Sequence, residues 1–150
     1  MTFAIEQEIW IDAPAEQVWA VVSDLASYQE WNPFVVSCRS TLAPGDPIAM
    51  CVRIFTHFAQ PQREVILEHE PGRWLCYGLA PSRLGALASR RSHEVTPVDA
   101  ARTRYVSHFE LSGWLAPLVK WLLGSRLRAG FGGMSAALAA RSETLAKQNT

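Results

Sequence analysis

Residues 11–35 read IDAPAEQVWAVVSDLASYQEWNPFV, and the change of pattern within this stretch sets the fold. It predicts a helix that begins close to Pro14, which suits a first helical turn, with the cap at one of the two preceding residues. Apolar residues recur at helical spacing along one side of this helix: Val18, Trp19, Val22 and Leu25. A short helical extension follows, and Pro33 ends it because proline disfavours helical backbone in the residue before it.

The junction at the end of this stretch, YQEWNPFV at residues 28–35, is rich in aromatic residues. A helix-to-strand connection lies at the surface and normally carries Gly, Ser, Asn and Asp. Two explanations are open. The rings of Trp31 and Phe34 either plug one end of the core or line the mouth of a cavity, and the two roles are compatible.

The residues on both sides of this stretch alternate with a period of two, which is typical of half-buried strands. Before it, residues 2–11 place one set on a common face: Phe3, Ile5, Ile9 and Ile11. After it, six short runs predict an antiparallel meander: residues 34–42, 48–55, 63–70, 73–79, 89–98 and 103–111. The longer connection at residues 80–88, which contains Leu84 and Leu87, predicts a flap.

A long helix is predicted from residue 116 to about residue 147. Its apolar stripe consists of Leu127, Phe131, Met134, Leu138 and Leu145. Four glycines interrupt it, and each costs about 1 kcal/mol relative to Ala: Gly124, Gly130, Gly132 and Gly133. Glycines that destabilise a helix need a structural reason, so we predict that the helix approaches another element closely or bends around a filled space.

A helix with one apolar stripe must bury that stripe, and the concave face of the sheet is the partner available. We therefore predict a single α+β domain over residues 1–150. A seven-stranded antiparallel curved sheet wraps around the long C-terminal helix, with two short helices between strands 1 and 2. Such a sheet encloses more volume than the stripe fills, which leaves a cavity of the kind that holds apolar ligands.

The composition is that of a globular chain, with 49% hydrophobic residues, 19% charged residues and a formal net charge of zero. This charge gives no support to nucleic-acid binding, which needs a basic face. The N-terminus lacks the basic region of a signal peptide, and the longest apolar run, residues 111–124, is shorter than the about 20 residues of a membrane span. We therefore predict a cytoplasmic protein without stable membrane insertion.

The cysteines at positions 38, 51 and 76 show neither CxxC nor Cys/His spacing and predict reduced, buried thiols. The histidines at positions 57, 69, 93 and 108 also lack the spacing of metal ligands. The sequence contains no GxSxG motif, no Walker motif and no GxGxxG motif after a predicted strand, so it gives no support to elbow-type hydrolysis or nucleotide chemistry. The sequence therefore predicts no metal site and no cofactor.

Three stretches resemble the SRPBCC superfamily, the group of START domains, pollen allergens and polyketide cyclases with the helix-grip fold: residues 11–35, 93–113 and 115–138. The helix start AP-x-x-x-VW, the WNPF junction and the long terminal helix occur in that order. The chain is most similar to the branch of small bacterial polyketide cyclase-like proteins, and the resemblance covers nearly all of it. It implies the helix-grip fold, with the junction beside one end of the cavity and Tyr28 exposed near the entrance.

Strand parity predicts which side chains face the cavity. The apolar lining would consist of Met50, Val52, Ile54, Tyr77, Tyr105, Phe109, Phe131, Met134 and Leu138, together with Trp31 and Phe34. Its few polar groups would be His93, Ser107 and the two tyrosine hydroxyls. The alternative is that these residues fill an ordinary core, and a one-residue bulge would invert the parity of any strand.

His93 and Tyr105 are the candidates for an acid or base, by residue type alone. A cyclase or aromatase needs one such group to promote enolisation, aldol closure or loss of water. Arg91 shares the parity of His93, so both side chains enter the interior or neither does. The arginine argues for a solvated edge.

Three functions remain open from the sequence. The first is binding of a small hydrophobic or amphipathic molecule, such as a lipid, polyketide, aromatic compound or quinone, by a carrier, sensor or accessory protein. The second is a cyclase or aromatase that acts without a metal or redox cofactor. The third is a quinone- or lipid-handling or protein-interaction module that uses apolar surface near Trp114 and Trp121. A monomer and a homodimer are both compatible with the sequence.

Overall fold

The computed structural model describes residues 2–149, apart from the side chain of Arg83. Its strands are β1 (Thr2–Ile11), β2 (Val35–Ser40), β3 (Pro47–Phe55), β4 (Phe58–Glu70), β5 (Trp74–Gly78), β6 (Ala88–Asp99) and β7 (Arg102–Ser112). Its helices are α1 (Ala15–Ser23), α2 (Tyr28–Trp31) and α3 (Ala116–Gln148), with 3-10 turns at Leu25–Ser27 and Arg83–Gly85. The predicted order of one strand, two short helices, six strands and a long helix is confirmed.

The strands of the described residues form one antiparallel sheet in the order β1-β7-β6-β5-β4-β3-β2. β2 to β7 follow one another as a meander, and β1 pairs with β7 over its whole length. Register shifts interrupt the pairing of β3 with β4, of β4 with β5 and of β6 with β7. Such bulges bend strands, and the sheet curves around α3 as the predicted helix-grip fold requires.

Pro14 caps α1, whereas the sequence placed it inside the first turn. Its backbone is extended, with φ −60° and ψ 149°. Its carbonyl oxygen accepts hydrogen bonds from the amides of Gln17 (3.0 Å) and Val18 (3.1 Å). Proline is tolerated here because the missing N–H would have no helical partner at this end.

Asn32 makes the turn from α2 into β2. Its side-chain oxygen accepts hydrogen bonds from the backbone N–H groups of Phe34 (3.0 Å) and Val35 (2.9 Å). An Asn side chain that bonds the backbone two residues ahead imitates a backbone turn. The turn directs Phe34 inward, where its ring meets that of Phe131 on α3 edge-on with 5.0 Å between centroids.

The predicted exposure of Tyr28 is wrong. Its side chain is 1% exposed, and its hydroxyl donates to the carbonyl oxygen of Val22 at 2.5 Å. Its ring also packs edge-on against Trp31, with 5.1 Å between centroids. Tyr28 is buried because a carbonyl near the end of α1 satisfies its hydroxyl inside the protein.

The apolar stripe predicted for α3 faces the sheet, and Leu127, Phe131, Met134 and Leu138 are buried. The expected close approach occurs at Gly130, where a Cβ atom would lie 2.2 Å from the ring of Phe34. A Cβ atom on Gly132 would lie 3.1 Å from the side-chain amide of Gln7, and the other two helical glycines leave ordinary contact distances. α3 therefore presses against the junction at Gly130.

The predicted strand bounds need one large correction, because β4 begins at Phe58 and not at residue 63. The connection at residues 80–88 contains a 3-10 turn in which Leu84 has a φ of 67° and a side chain that is 91% exposed. Cys76 is buried as predicted, whereas Cys38 and Cys51 are half-buried. Within residues 2–149, no helix combines the length and the apolar character needed to cross a bilayer.

Candidate functional site

The interior between the sheet and α3 is filled at one end and hollow at the other. At the filled end, α1 packs against the sheet and against α3 through buried residues that include Ile11, Val18, Val22, Val95, Tyr105 and Leu138. At the other end, a cavity of about 350 Å³ lies between the sheet and the N-terminal half of α3. Its volume is near the lower limit for sites that hold drug-sized molecules.

The cavity wall is apolar on one side and partly polar on the other. α3 contributes Val119, Leu123, Leu127 and Phe131. The sheet contributes apolar side chains as well, but its middle strands also present Gln60, Gln62, Glu64, Tyr77, Ser89 and Arg91. A molecule in the cavity would therefore meet hydrocarbon alone on the face toward α3, and hydrocarbon together with hydrogen-bonding groups on the face toward the sheet.

The predicted lining residues fall into two groups. Those on the cavity wall are Phe34, Met50, Val52, Ile54, Tyr77, Phe109 and Phe131. Those away from the wall are Trp31, His93, Tyr105, Ser107, Met134 and Leu138. Trp31 packs between the two parts of the core, and Leu138 belongs to the filled end. The remaining four lie behind the wall. His93 contacts Tyr77, and Tyr105 contacts His93. Ser107 and Met134 contact Arg91.

Tyr77, His93 and Tyr105 form a hydrogen-bonded row that leads inward from the cavity wall. The Tyr77 hydroxyl lies 3.1 Å from Nε2 of His93, and the Tyr105 hydroxyl lies 2.6 Å from Nδ1. Burial, assisted by the charge of Arg91, lowers the pKa of His93 well below 6.5. The ring is therefore neutral, so one tyrosine hydroxyl donates to it and the other accepts from it.

Arg91 is buried, so the solvated edge expected at this position is wrong. Its Nη1 donates to Oγ of Ser107 at 2.6 Å and to the carbonyl oxygen of Ser92 at 3.2 Å. Its Nη2 lies 3.6 Å from the sulfur of Met134, and the guanidinium carbon is 4.6 Å from the centre of the Phe131 ring. These partners are neutral groups, and the sulfur is a weak acceptor.

Glu64 places a buried carboxyl group in the same wall. Its Oε2 accepts a hydrogen bond from the side-chain amide of Gln62 at 2.7 Å. Burial raises the pKa of Glu64 above 4.5, although hydrogen bonds from Gln62 and Ser89 and the charge of Arg91 oppose the shift. A carboxyl group of this kind can donate a hydrogen bond in its protonated form and accept in either form.

The sequence reasoning missed this polar side of the wall. A signal for it is present, because counting backwards by twos from the buried Ile66 along β4 reaches Glu64, Gln62 and Gln60. Polar residues on an inward face interrupt the apolar alternation that reveals a strand, so residues 58–62 do not read as one. The pairing of β4 with β3 extends the strand back to Phe58, and the folded sheet places Glu64 and Gln62 on the cavity wall and Gln60 at its exposed mouth.

The mouth of the cavity is marked by wall residues that are half-buried or, in the case of Gln60, exposed. They are Ile54 and Gln60 beside the β3–β4 turn, Leu79 and Leu87 beside residues 80–86, and Val119 and Leu123 on α3. Three chain segments therefore surround the entrance.

Within residues 2–149, no group of three His, Cys, Asp or Glu side chains could hold a metal ion.

Several solved structures share this fold. Zhui aromatase/cyclase from Streptomyces sp. R1128 has a TM-score of 0.67, with 18% identity over 99% of this chain and 96% of that chain. A norcoclaurine synthase point mutant from Thalictrum flavum, solved with a transition-state analogue, has a TM-score of 0.72, with 12% identity over 100% and 98%. A START superfamily protein from Mycobacterium smegmatis has a TM-score of 0.67, with 17% identity over 98% and 99%. At these identities the likeness shows the fold alone.

No curated protein sequence matches the chain. A family described as "Polyketide cyclase / dehydrase and lipid transport" matches it over residues 2–143. That range includes the whole cavity wall and all strands of the sheet. The resemblance to the SRPBCC superfamily is thereby confirmed, and the chain belongs to its polyketide cyclase/dehydrase and lipid transport family.

Proposed function

We propose that the protein binds an uncharged amphipathic small molecule in the cavity. The oxygen-bearing edge of this ligand would lie against the sheet, and its apolar face would lie against α3. The observation that carries the proposal is the division of the wall between apolar residues of α3 and polar residues of β4 and β6. Apolar walls with a few placed polar groups are the usual form of small-molecule sites, because the polar groups orient a ligand that burial holds.

The cost of burying charge supports an uncharged ligand. The wall already contains Glu64, whose pKa is raised by burial, and Arg91, whose hydrogen-bond partners are neutral. A charged ligand would lose its hydration in a mostly apolar space. Carbonyl or hydroxyl oxygens of an uncharged ligand would instead accept hydrogen bonds from Arg91. A ligand hydroxyl would also donate a hydrogen bond to Gln62 or Glu64, or accept one from them.

The relatives support the same class of ligand. The family description names polyketide cyclases, dehydrases and lipid transport, and the solved structures of this fold include an aromatase/cyclase. Lipids, polyketides, quinones and many aromatic compounds combine carbonyl or hydroxyl oxygens with an apolar frame. We place the protein among carriers, sensors or accessory proteins for a compound of this kind.

Native mass spectrometry of the purified protein, followed by denaturing extraction, tests the proposal. The expected result is a stoichiometric uncharged adduct, or saturable binding of a compound from a panel of quinones, flavonoids and polyketides. A ligand at one hundred times its Kd adds about 2.7 kcal/mol to the free energy of unfolding, which thermal denaturation detects. A clean apo mass with no thermal shift across the panel would contradict the proposal.

Two neighbouring leucines of α3 provide a matched pair of variants. Leu123 lines the cavity, whereas Leu122 points outward and is 57% exposed. Leu123→Trp should fill part of the cavity and lower ligand affinity by about tenfold or more. The part of the ligand that the tryptophan displaces would lose its buried contacts. Leu122→Trp should leave the affinity unchanged. Equal losses in both variants would count against binding in this cavity.

A cyclase or aromatase activity is the second candidate, and the row formed by Tyr77, His93 and Tyr105 favours it. Tyr77 belongs to the wall, and its hydroxyl lies 3.1 Å from Nε2 of the neutral His93 ring, which can accept or return a proton through that hydroxyl. If this reaction occurs, Tyr77→Phe should abolish turnover of a poly-β-keto analogue while ligand affinity falls by less than about tenfold. Unchanged turnover in Tyr77→Phe, or no turnover by the wild type, would eliminate this candidate.

A further inference from the structure

The entrance of the cavity carries most of the strongly exposed apolar side chains among the described residues. Leu84 is 91% exposed, Trp121 80%, Trp114 64% and Leu122 57%. Phe58 and Leu118 add to this set, which we call the rim surface: Phe58, Leu84, Trp114, Leu118, Trp121 and Leu122. Exposed apolar residues that cluster in this way mark an interaction surface, whereas single ones are ordinary.

Contacts between the segments hold the rim surface together. The indole N–H of Trp114 donates to the carbonyl oxygen of Leu84 at 3.0 Å, which ties the start of α3 to residues 80–88. On the other side, the ring of Phe58 stacks on Phe55 at 5.2 Å, and the guanidinium of Arg126 on α3 lies 5.5 Å from the centre of Phe55. The β3–β4 turn, residues 80–88 and α3 therefore present their apolar tips around one opening.

The charge of these segments is entirely positive. Residues 53–60, 79–88 and 113–129 contain five basic residues and no Asp or Glu, whereas the rest of the chain carries nine basic and fourteen acidic residues. On α3, Lys120 and Arg128 lie on the side of Phe3, and Arg126 lies on the side of Phe55. Basic residues thus flank the outward apolar row of α3 on both sides, within a chain of zero net charge.

We propose that the rim surface docks on the surface of a lipid bilayer that contains anionic headgroups. Tryptophan and leucine side chains on a helix flanked by lysine and arginine are the composition of segments that lie in a membrane interface. The apolar groups project from three separate segments, and a fluid bilayer accommodates such projections without a matching pocket for each. The surrounding basic residues complement the negative potential of anionic lipids.

The position of the rim surface gives docking a consequence. Val119 and Leu123 line the cavity from the same helical turns whose outer side carries Leu118 and Leu122. Leu79 and Leu87 line it from the ends of the segment that carries Leu84. A docked protein would therefore hold the cavity entrance against the lipid phase, so that an apolar molecule could enter without crossing water. Docking itself requires neither a ligand nor a reaction.

Co-sedimentation with vesicles tests this proposal. We expect the wild type to bind vesicles of phosphatidylcholine with about one third phosphatidylglycerol, to bind pure phosphatidylcholine vesicles much more weakly, and to be released at about 0.5 M salt. Lipids brominated on the acyl chain should quench its tryptophan fluorescence. No binding to anionic vesicles at low salt would overturn the proposal.

Matched tryptophan variants locate the contact. Trp121→Ser should lower the vesicle partition coefficient by about tenfold, because it removes a large side chain from the interface. Trp10→Ser is the control, since Trp10 is 49% exposed on β1, outside the segments that surround the entrance. Equal binding by the Trp121→Ser variant and the wild type would overturn the proposal, as would an equal loss in both variants.

Matched charge variants and a size measurement complete the test. Neutralising Lys120 and Arg128 to Gln should weaken binding by about fivefold for each residue, whereas neutralising the exposed Arg39 and Arg63 of β2 and β4 should not. Light scattering tests whether a second copy of the chain, and not a bilayer, covers the rim surface. A dimer that Trp121→Ser converts to a monomer, without vesicle binding by the wild type, would show that the surface joins two copies of the chain and would overturn the proposal.

Discussion

Glu64 stands out among the side chains of the cavity because it brings a carboxyl group into a wall made largely of hydrocarbon. Its neighbours give it one firm hydrogen bond, from Gln62 at 2.7 Å, and the opposing charge of Arg91 acts on it from within the same wall. An ionised carboxylate in such a place is costly unless it is well paired. This cost links part of the stability of the folded protein to the protonation of Glu64.

We predict that Glu64→Gln is more stable than the wild type at pH 7. Because burial raises the folded-state pKa of Glu64 above 4.5, the stabilisation from its protonated form is complete below pH 4.5 and is lost as the pH rises through the raised pKa. The glutamine imitates the protonated form at every pH. Urea denaturation between pH 4 and pH 8 should show the advantage of the variant growing with pH, and an advantage that is largest at pH 4 would contradict the prediction.

Tyr105 and Tyr77 hydrogen-bond to opposite nitrogens of the buried His93, which makes them a matched pair. Replacement of either by Phe leaves one ring nitrogen without a partner, and we expect a loss of about 1–3 kcal/mol in the free energy of unfolding. Only Tyr77 lies on the cavity wall. Ligand affinity should therefore change in Tyr77→Phe and not in Tyr105→Phe. A change of affinity in Tyr105→Phe would show that the inner end of the row also meets the ligand.

The contact between α3 and the helix-to-strand junction explains why a long helix keeps a glycine at position 130. A side chain there would collide with the ring of Phe34, which is itself held by Phe131. The backbone N–H groups of Phe34 and Val35 in turn donate to Asn32, so a shift of the backbone at Phe34 would break the turn. Helix and junction thus lock each other in position beside the cavity.

We predict opposite effects for two glycine substitutions in α3. Gly130→Ala should lower the free energy of unfolding by about 1–3 kcal/mol, because the overlap with Phe34 outweighs the gain in helix propensity. Gly133→Ala meets only Pro33, at 3.7 Å, and should be neutral or stabilising by up to about 1 kcal/mol. Chemical denaturation of the two variants measures the difference. Stabilisation by Gly130→Ala would show that the ring of Phe34 moves aside for the added Cβ atom, and it would contradict the prediction.

The molecule as a whole has a filled end and a hollow end, and stability should differ between them. β6 and β7 pair along most of their length, and both are inner strands of the sheet. Residues 80–88 at the entrance are held by a few bonds, such as that from the amide of Ser82 to the carbonyl of Leu87 at 3.0 Å. Most of their side chains are exposed or half-buried.

Hydrogen exchange should reveal this contrast. We expect amides of β7 to exchange only through global unfolding and amides of residues 80–88 to exchange through local opening, at rates higher by orders of magnitude. Exchange measured by mass spectrometry against low concentrations of denaturant separates the two modes. Equal protection in both regions would contradict the prediction, and it would also argue against the flap that the sequence predicts at residues 80–88.

The fold and the polar half of the site differ in how far the sequence reveals them. The period of two in the strands and the stripe from Leu127 to Leu138 predict the helix-grip fold, because burial of one face leaves a repeat in the sequence. Such a repeat also identifies Met50, Val52 and Phe109 as inward-facing. The same count by twos from Ile66 reaches Glu64 and Gln62, but it does not show that they are buried, because a polar residue on an inward face looks the same in a sequence as one on an outward face.

The sequence by itself determined the order of elements, the inward faces of strands such as β3 and β7, and the stripe that α3 buries. Only the tertiary structure decided that Tyr28 is buried, that Arg91 and Glu64 share one wall, and that His93 lies behind Tyr77. Periodicity depends on neighbours along the chain, so a sequence carries it directly. The burial of a polar group depends on partners from distant strands, since it is tolerated only where they supply hydrogen bonds, and the folded chain alone brings those partners together.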